Sequence, residues 1–324
     1  MTRSFKAELG QLLTPGSCPQ LNNFQYSFAN VPLSFVPQYD GSLRASKVLD
    51  VKLKEQTVAI PIGEQKIIGT LAGATEAKTP LLILLHGFHG SRDELAIKGT
   101  EEGIYSRMAR ILAEVGYASL RIDFRGSGNS DGAWEDNTFD SQRDDAVAVI
   151  DWVRRQNHFS FSKLILVGWS QGGYIAGCAA TKRPDLDGIA LLAPTVHPRK
   201  TFRHLVGEKV RTCSALSDPD RLVSAEFPWG TKIQIKARFF HDLPEVPPVL
   251  EQSGFAGAML VVAAINDRVI FPQPTVSEIW LRRHSGPKQL AVINTDHVFG
   301  VMEGPEEFDH QLMPALLNWL VTRF

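Results

Sequence analysis

Cysteine is scarce in this chain, and the three present, Cys18, Cys178 and Cys213, are an odd number with no metal-like spacing. That excludes a disulfide framework and a thiolate metal site, and the three are read as free thiols. Excess charge is lacking too: 34 Lys and Arg against 35 Asp and Glu leave a formal net charge of −1. Without a basic stripe there is no electrostatic footprint for nucleic acid or for an anionic membrane, and neither is expected as a partner. No apolar run approaches the ~20 residues of a membrane span. The segment Met1-Thr2-Arg3-Ser4-Phe5-Lys6-Ala7-Glu8 lacks the continuous apolar stretch of a signal peptide, so a cytoplasmic location is expected. Cys and His do not cluster at ligand spacing, and Gly126-Ser127-Gly128 lacks the strand-to-helix setting of a dinucleotide fingerprint, so no metal or organic cofactor is expected. What the chain does have is 44% hydrophobic content over 324 residues, enough to bury one large core.

The most informative motif is Gly168-Trp169-Ser170-Gln171-Gly172, which follows the apolar run Lys163-Leu164-Ile165-Leu166-Val167 and precedes a small-residue helical stretch. A Gly-x-Ser-x-Gly turn between strand and helix needs small neighbours because its backbone is strained and the helix packs close. It pushes the serine hydroxyl outward, which makes Ser170 the candidate nucleophile. A serine is a weak nucleophile until an imidazole takes its proton and a carboxylate orients that imidazole. Both partners occur downstream, each just past a strand-like run: Asp267 after Met259-Leu260-Val261-Val262-Ala263-Ala264-Ile265, and His297 after Gln289-Leu290-Ala291-Val292-Ile293. Carboxyl ends of strands in an open parallel sheet gather on one edge, so Ser170, Asp267 and His297 can meet there, and they stand in hydrolase order. Asp296 and Asp242 are the other candidate acids. Asp267 is preferred because a side chain adjacent to His297 in the chain points elsewhere.

Acyl transfer also needs donors for an oxyanion. The run Leu81-Leu82-Ile83-Leu84-Leu85 reads as a fully buried strand, and the following His86-Gly87-Phe88-His89-Gly90 can bend its backbone toward the serine. The backbone N–H groups of Phe88 and Gln171 are the candidate oxyanion hole. His86 is read as a brace for this loop, and nothing singles out His89.

Elsewhere the pattern alternates between strand and helix. Val48 to Leu71 reads as short strands broken at Pro61-Ile62-Gly63, an antiparallel edge to a mainly parallel sheet. Ile104, Met108, Ile111, Leu112 and Val115 fall at helical spacing and stop at Gly116, ahead of the strand Tyr117 to Ile122. A second helix, capped by Asp140 or Ser141, turns Ala146, Val149, Ile150 and Val153 inward. Repeated alternation predicts an α/β fold with helices on both faces of the sheet. It breaks between Pro194 and Gly254, where Lys232 to Phe239 has a period-2 stretch, and this insertion is expected to roof the site. Residues 1–47, with the Phe24, Tyr26, Phe28 alternation, read as an arm that packs on the body or on a partner, a homodimer being one arrangement open to it.

Four segments carry a resemblance: His86-Gly87-Phe88, Arg121 to Gly132, Gly168 to Gly173, and Asp296-His297. Together they resemble the α/β-hydrolase superfamily, and within it bacterial feruloyl (cinnamoyl) esterases, from about Val58 to the C-terminus. Phe239-Phe240-His241-Asp242-Leu243-Pro244 resembles the end of that subfamily's cap. The resemblance implies an α/β-hydrolase core over 48–194 and 255–324 with a small cap insertion at 195–254. It implies hydrolysis of a small-molecule carboxylic ester through an acyl-enzyme, with Ser170, Asp267 and His297 as triad and Phe88 and Gln171 as oxyanion hole. It also implies that Asp123 ties down neighbouring loops. Two departures stand out: Trp169 where these esterases usually have His, and Ala264-Ile265-Asn266 in place of a more Gly-rich approach to the acid. A thioesterase or acyltransferase would use the same machinery. A peptidase, an amidase or a non-catalytic binding protein on the same fold are the remaining alternatives.

Overall fold

The computed structural model describes residues 54–73, 78–156, 161–207, 212, 218–245, 247 and 254–324. The expected arm at 1–47, with Cys18, and Cys213 lie outside the described residues. An eight-stranded sheet forms the centre. Its strands are β1 (Glu55–Ile62), β2 (Gln65–Ala72), β3 (Thr79–Leu85), β4 (Ala118–Ile122), β5 (Phe161–Trp169), β6 (Gly188–Leu192), β9 (Ala258–Ala264) and β10 (Lys288–Ile293). In space they run β1-β2-β4-β3-β5-β6-β9-β10. The β1–β2 and β2–β4 pairs are antiparallel and every other pair is parallel.

The continuous apolar runs follow from this arrangement, because a parallel sheet with helices on both sides has no solvent face. Leu81, Ile83 and Leu85 of β3 join one core layer and Leu82 and Leu84 the other. All seven residues of β9 are buried. Helices α2 (Phe139–Arg155) and α3 (Gln171–Lys182) cover the first layer; α1 (Ile104–Glu114) and α6 (Met313–Arg323) cover the second.

Local details differ from the sequence expectations. Strand β1 does not break at Pro61 but runs to Ile62, pairing Pro61 with Lys66, and the chain turns at Gly63, whose φ is 56°. A proline is tolerated there because β1 is the edge strand and needs no N–H on its outer side. Helix α2 is capped neither by Asp140 nor by Ser141 acting alone. Thr138 is the N-cap: its hydroxyl accepts from Ser141 N at 3.0 Å, and Ser141 Oγ accepts from Thr138 N at 2.9 Å. Reciprocal capping of this kind stabilises by about 1 kcal/mol. Val115 sits past the end of α1 and is exposed rather than inward. Cys178 is buried on α3, and desolvation pushes its thiol up to about 12, which makes it unreactive.

Between β6 and β9 the chain leaves the sheet. It forms α4 (Pro198–Val206), an antiparallel hairpin of β7 (Leu222–Glu226) and β8 (Lys232–Lys236), and a single turn α5 (Arg238–His241). The period-2 signal therefore ends at Lys236, and Phe239 is helical. Among the described residues no helix is long and apolar enough to cross a membrane.

Candidate active site

Parallel pairing brings the ends of β3, β5, β6, β9 and β10 to one edge: Leu85 stands beside Gly168, Trp169 beside Leu192, Leu192 beside Val262, and Ala264 beside Ile293. Each sequence-selected residue follows one of these ends. Ser170 sits on the turn from β5 to α3 with φ 54° and ψ −116°. A non-glycine residue in that region costs about 1–3 kcal/mol and persists only where its surroundings over-determine it. Here they do. Ser170 N donates to Leu192 O at 2.9 Å, and Ser170 O accepts from Thr195 N at 2.9 Å and Gly173 N at 3.1 Å. A Cβ at Gly168 would lie 2.1 Å from Gly172 O, and one at Gly172 would lie 2.0 Å from Leu85 O. The motif glycines are required because backbone, not a movable side chain, fills that space.

His297 Nδ1 lies 2.7 Å from Asp267 Oδ2, and its Nε2 lies 3.0 Å from Ser170 Oγ. A carboxylate only accepts, so Nδ1 carries the proton and Nε2 is left to accept from the serine hydroxyl. The other oxygen of Asp267 accepts from Val269 N at 2.7 Å and Ile270 N at 2.8 Å, and its side chain is fully buried. Asp296 is used differently: its Oδ1 accepts from Val298 N and Gly300 N, both at 3.0 Å, and so closes the turn that follows. Asp242 is exposed at the end of α5. Of the three candidate acids, the structure brings only Asp267 to the imidazole.

The loop after β3 is held from several sides. His86 is fully buried, with Nε2 accepting from Phe124 N at 3.1 Å and Nδ1 facing Gly87 O at 2.8 Å. Since Nε2 accepts, Nδ1 is the protonated nitrogen, and desolvation lowers the pKa to about 4. Gly87 O also accepts from Gly90 N at 3.3 Å. In a trans peptide the C=O and the next N–H point in opposite directions, so fixing Gly87 O aims the Phe88 N–H away from His86. That N–H donates to no acceptor among the described residues. The Gln171 N–H is the first of α3 and has no intrahelical acceptor.

Several contributors were not apparent in the sequence. Tyr105 of α1 donates its hydroxyl to Leu85 O at 2.8 Å and accepts from Trp169 N at 3.0 Å, joining the ends of β3 and β5. Trp169 Nε1 donates to His297 O at 2.9 Å, so the residue preceding Ser170 also holds the histidine loop. A chain of buried amides runs from Gln171 Nε2 to Gln142 Oε1, from Gln142 Nε2 to Asn137 Oδ1, and from Asn137 Nδ2 to Trp134 O. The Trp134 ring packs against Phe88 and His89, and burial lowers the His89 pKa. Phe202, Phe227 and Phe239 of the insertion surround the Phe88 ring at centroid distances of 5.0, 5.2 and 5.5 Å. These buried aromatics form a small core against the loop, while Trp229 remains exposed. Asp123 accepts from Arg92 N and Asn129 N and pairs with the Arg92 guanidinium, which ties two loops together. No group of three or more His, Cys, Asp or Glu among the described residues could hold a metal ion.

Comparison with known proteins agrees with the architecture. A family model for the alpha/beta hydrolase fold matches residues 80–311, and the chain belongs to this family. An uncharacterised protein of Rickettsia prowazekii is 30% identical over 169 residues, covering 50% of this chain and 66% of its own length. The human mitochondrial palmitoyl-protein thioesterase ABHD10 is 30% identical over 125 residues, 37% of this chain and 36% of its own length. The chain thus spans less than two thirds of these relatives. Among solved structures, Est1E from Butyrivibrio proteoclasticus with bound ferulic acid superposes with a TM-score of 0.61 at 21% identity, covering 82% of this chain and 98% of that one. At such identity the likeness is one of fold.

Proposed function

We propose that the protein is a serine hydrolase that cleaves a carboxylic ester, of feruloyl/cinnamoyl type or another small acyl or aryl ester, through an acyl-enzyme. The observation that carries this reading is the line from Asp267 Oδ2 through His297 to Ser170 Oγ, at 2.7 and 3.0 Å, ending on a serine held at positive φ. His297 Nε2 takes the hydroxyl proton as Oγ attacks the carbonyl carbon, and Asp267 stabilises the imidazolium. The N–H groups of Phe88 and Gln171 receive the oxyanion, each contributing about 10²–10³ in turnover. The imidazolium then protonates the departing alcohol. Water, deprotonated by the same nitrogen, releases the acid and frees Ser170.

Thioester cleavage is the second reading, favoured by the 30% identity with the palmitoyl-protein thioesterase. The steps are unchanged, with a thiol leaving in place of an alcohol. One panel of alkyl, aryl and hydroxycinnamoyl esters alongside acyl thioesters separates the two. Ser170→Ala is expected to lower turnover by about 10⁴–10⁶ on the best substrate while folding normally. A folded Ser170→Ala protein with parental turnover, or a parent protein that a fluorophosphonate does not label at Ser170, removes the proposal.

A further inference from the structure

Beneath the loop that carries Phe88 lies a carboxyl group that no cation among the described residues neutralises. Glu94 has φ 61°, and its side chain turns back under residues 87–90. Gly87 N donates to its Oε1. A Cβ placed at Gly90 would fall 2.6 Å from either carboxyl oxygen, so the loop has closed around this group. The Trp169 indole and Glu94 Oε1 lie 3.1 and 3.6 Å from a Cβ placed at Gly87, so ring and carboxyl flank the same residue. Arg92, the nearest cation in sequence, is committed to Asp123 and Thr70.

Both peptides of Gly87 are therefore pinned, its N–H by Glu94 and its C=O by His86 and Gly90. On the reading of Ser170 as an acylated nucleophile, we propose that Glu94 is a positioning residue that works as a neutral acid: it holds the oxyanion loop through Gly87, and its ionisation lowers turnover. Desolvation supports this by pushing the carboxyl up to about 8, against a smaller opposing effect of the Gly87 N–H. An ionised Glu94 would put a negative charge under the loop that must receive a developing oxyanion. Tyr105 of α1 interacts with the Glu94 charge, the other charged groups of that helix, Arg107, Arg110 and Glu114, are paired with Glu102, Asp309 and one another, and His86, His89, Arg92 and Asp93 belong to the same stretch of chain as Glu94. His297 lies beyond the Trp169 indole. Tyr105 is itself held well above its ordinary value, first by burial and then by Glu94, so it does not titrate in the same range. His86 is neutral far below it, and Asp93 pairs with Arg121 at 3.1 Å.

The test is kcat and KM on an aryl ester from about pH 6 to about pH 10, with near-ultraviolet circular dichroism to follow folding. The parent enzyme is expected to fall to about one-tenth within one unit above the Glu94 transition. Glu94→Gln stays neutral and can still accept from Gly87, so it is expected to lose the alkaline fall and hold KM within about twofold. Glu94→Asp, with a shorter reach, is expected to move the alkaline limb. An alkaline fall unchanged in both variants, or absent from the parent, overturns the inference. Fluorophosphonate labelling at neutral pH tells the failures apart. A labelled, active parent with a flat alkaline profile refutes Glu94 alone, whereas a parent neither labelled nor active removes the acyl-enzyme reading and this inference with it.

Discussion

Replacing Asp267 by Asn changes the chemistry of one buried group and almost nothing of its shape. Oδ1 of Asp267 accepts two backbone N–H groups at 2.7 and 2.8 Å. The amide oxygen of the substituted residue must take that side, because an NH₂ group there would leave two buried donors facing a third. Its NH₂ then faces His297 Nδ1, which in the native protein lies 2.7 Å from Oδ2. An NH₂ only donates, so Nδ1 becomes an acceptor and the ring proton moves to Nε2. That is the nitrogen 3.0 Å from Ser170 Oγ, and once protonated it cannot take the hydroxyl proton. Turnover is expected to fall about 10⁴-fold, or about 5.5 kcal/mol of barrier, while Tm changes little because the two backbone hydrogen bonds survive. The assay is kcat on an activated aryl ester together with the rate of fluorophosphonate labelling. Asp296→Asn is the comparison: its carboxylate only closes a turn, so kcat should stay within about threefold and stability within about 1 kcal/mol. An Asp267→Asn protein that keeps more than about a tenth of parental turnover would refute the assignment of this carboxylate to the imidazole tautomer.

Three further perturbations probe the framework. Gly172→Ala drives a methyl group to 2.0 Å from Leu85 O and 2.5 Å from His86 O. Both contacts are backbone, so thermal melting should show a loss of about 3 kcal/mol or more, and kcat should fall as the start of α3 moves off the loop. Trp169→Phe removes the N–H that holds His297 O at 2.9 Å. A net loss of about 1 kcal/mol predicts a kcat lowered about fivefold with KM nearly unchanged, which steady-state kinetics measures directly. His86, with its pKa lowered to about 4 in the fully buried site, is neutral in the folded protein where the unfolded chain takes up a proton. The unfolded state binds more protons between the ordinary histidine value and about pH 4, so acidification across that window should cost about 3 kcal/mol from this group. Urea denaturation should show a shallower acid loss for His86→Gln than for the parent. The comparison is made on that difference because Asp145 and Glu94, both raised by burial, act with the opposite sign.

Much of the architecture was legible because it rests on local periodicity. The apolar runs of β3, β5 and β9 could be read because strands buried on both faces cannot alternate. Ser170 could be read because a strand, two glycines and a small-residue helix have only one comfortable way to meet. The cap of α2 differs from the expectation, since Thr138, Asp140 and Ser141 can each offer an oxygen acceptor to a helix N-terminus and only the entry angle of the chain selects Thr138. Helix α4 and strand β7 were missed in the insertion, where amphipathic signals are short and interrupted by charge. Glu94, Tyr105 and Gln142 gave no signal at all, because each acts on residues distant in sequence or through a backbone group that has no side-chain identity.

By itself the sequence determined the strands and helices of the central sheet, which serine stands on a constrained turn, and which histidine and acids follow strand ends. Those features depend on φ/ψ preference and on burial along a single element, both of which are written within a few neighbouring residues. Only the tertiary structure set Asp267, the acid the sequence favoured, against the imidazole, turned the Gly87 peptide so that the Phe88 N–H has no acceptor among the described residues, and set a carboxyl group beneath it. Those choices depend on strand order and register across the sheet, where a shift of one residue sends a side chain to the opposite face.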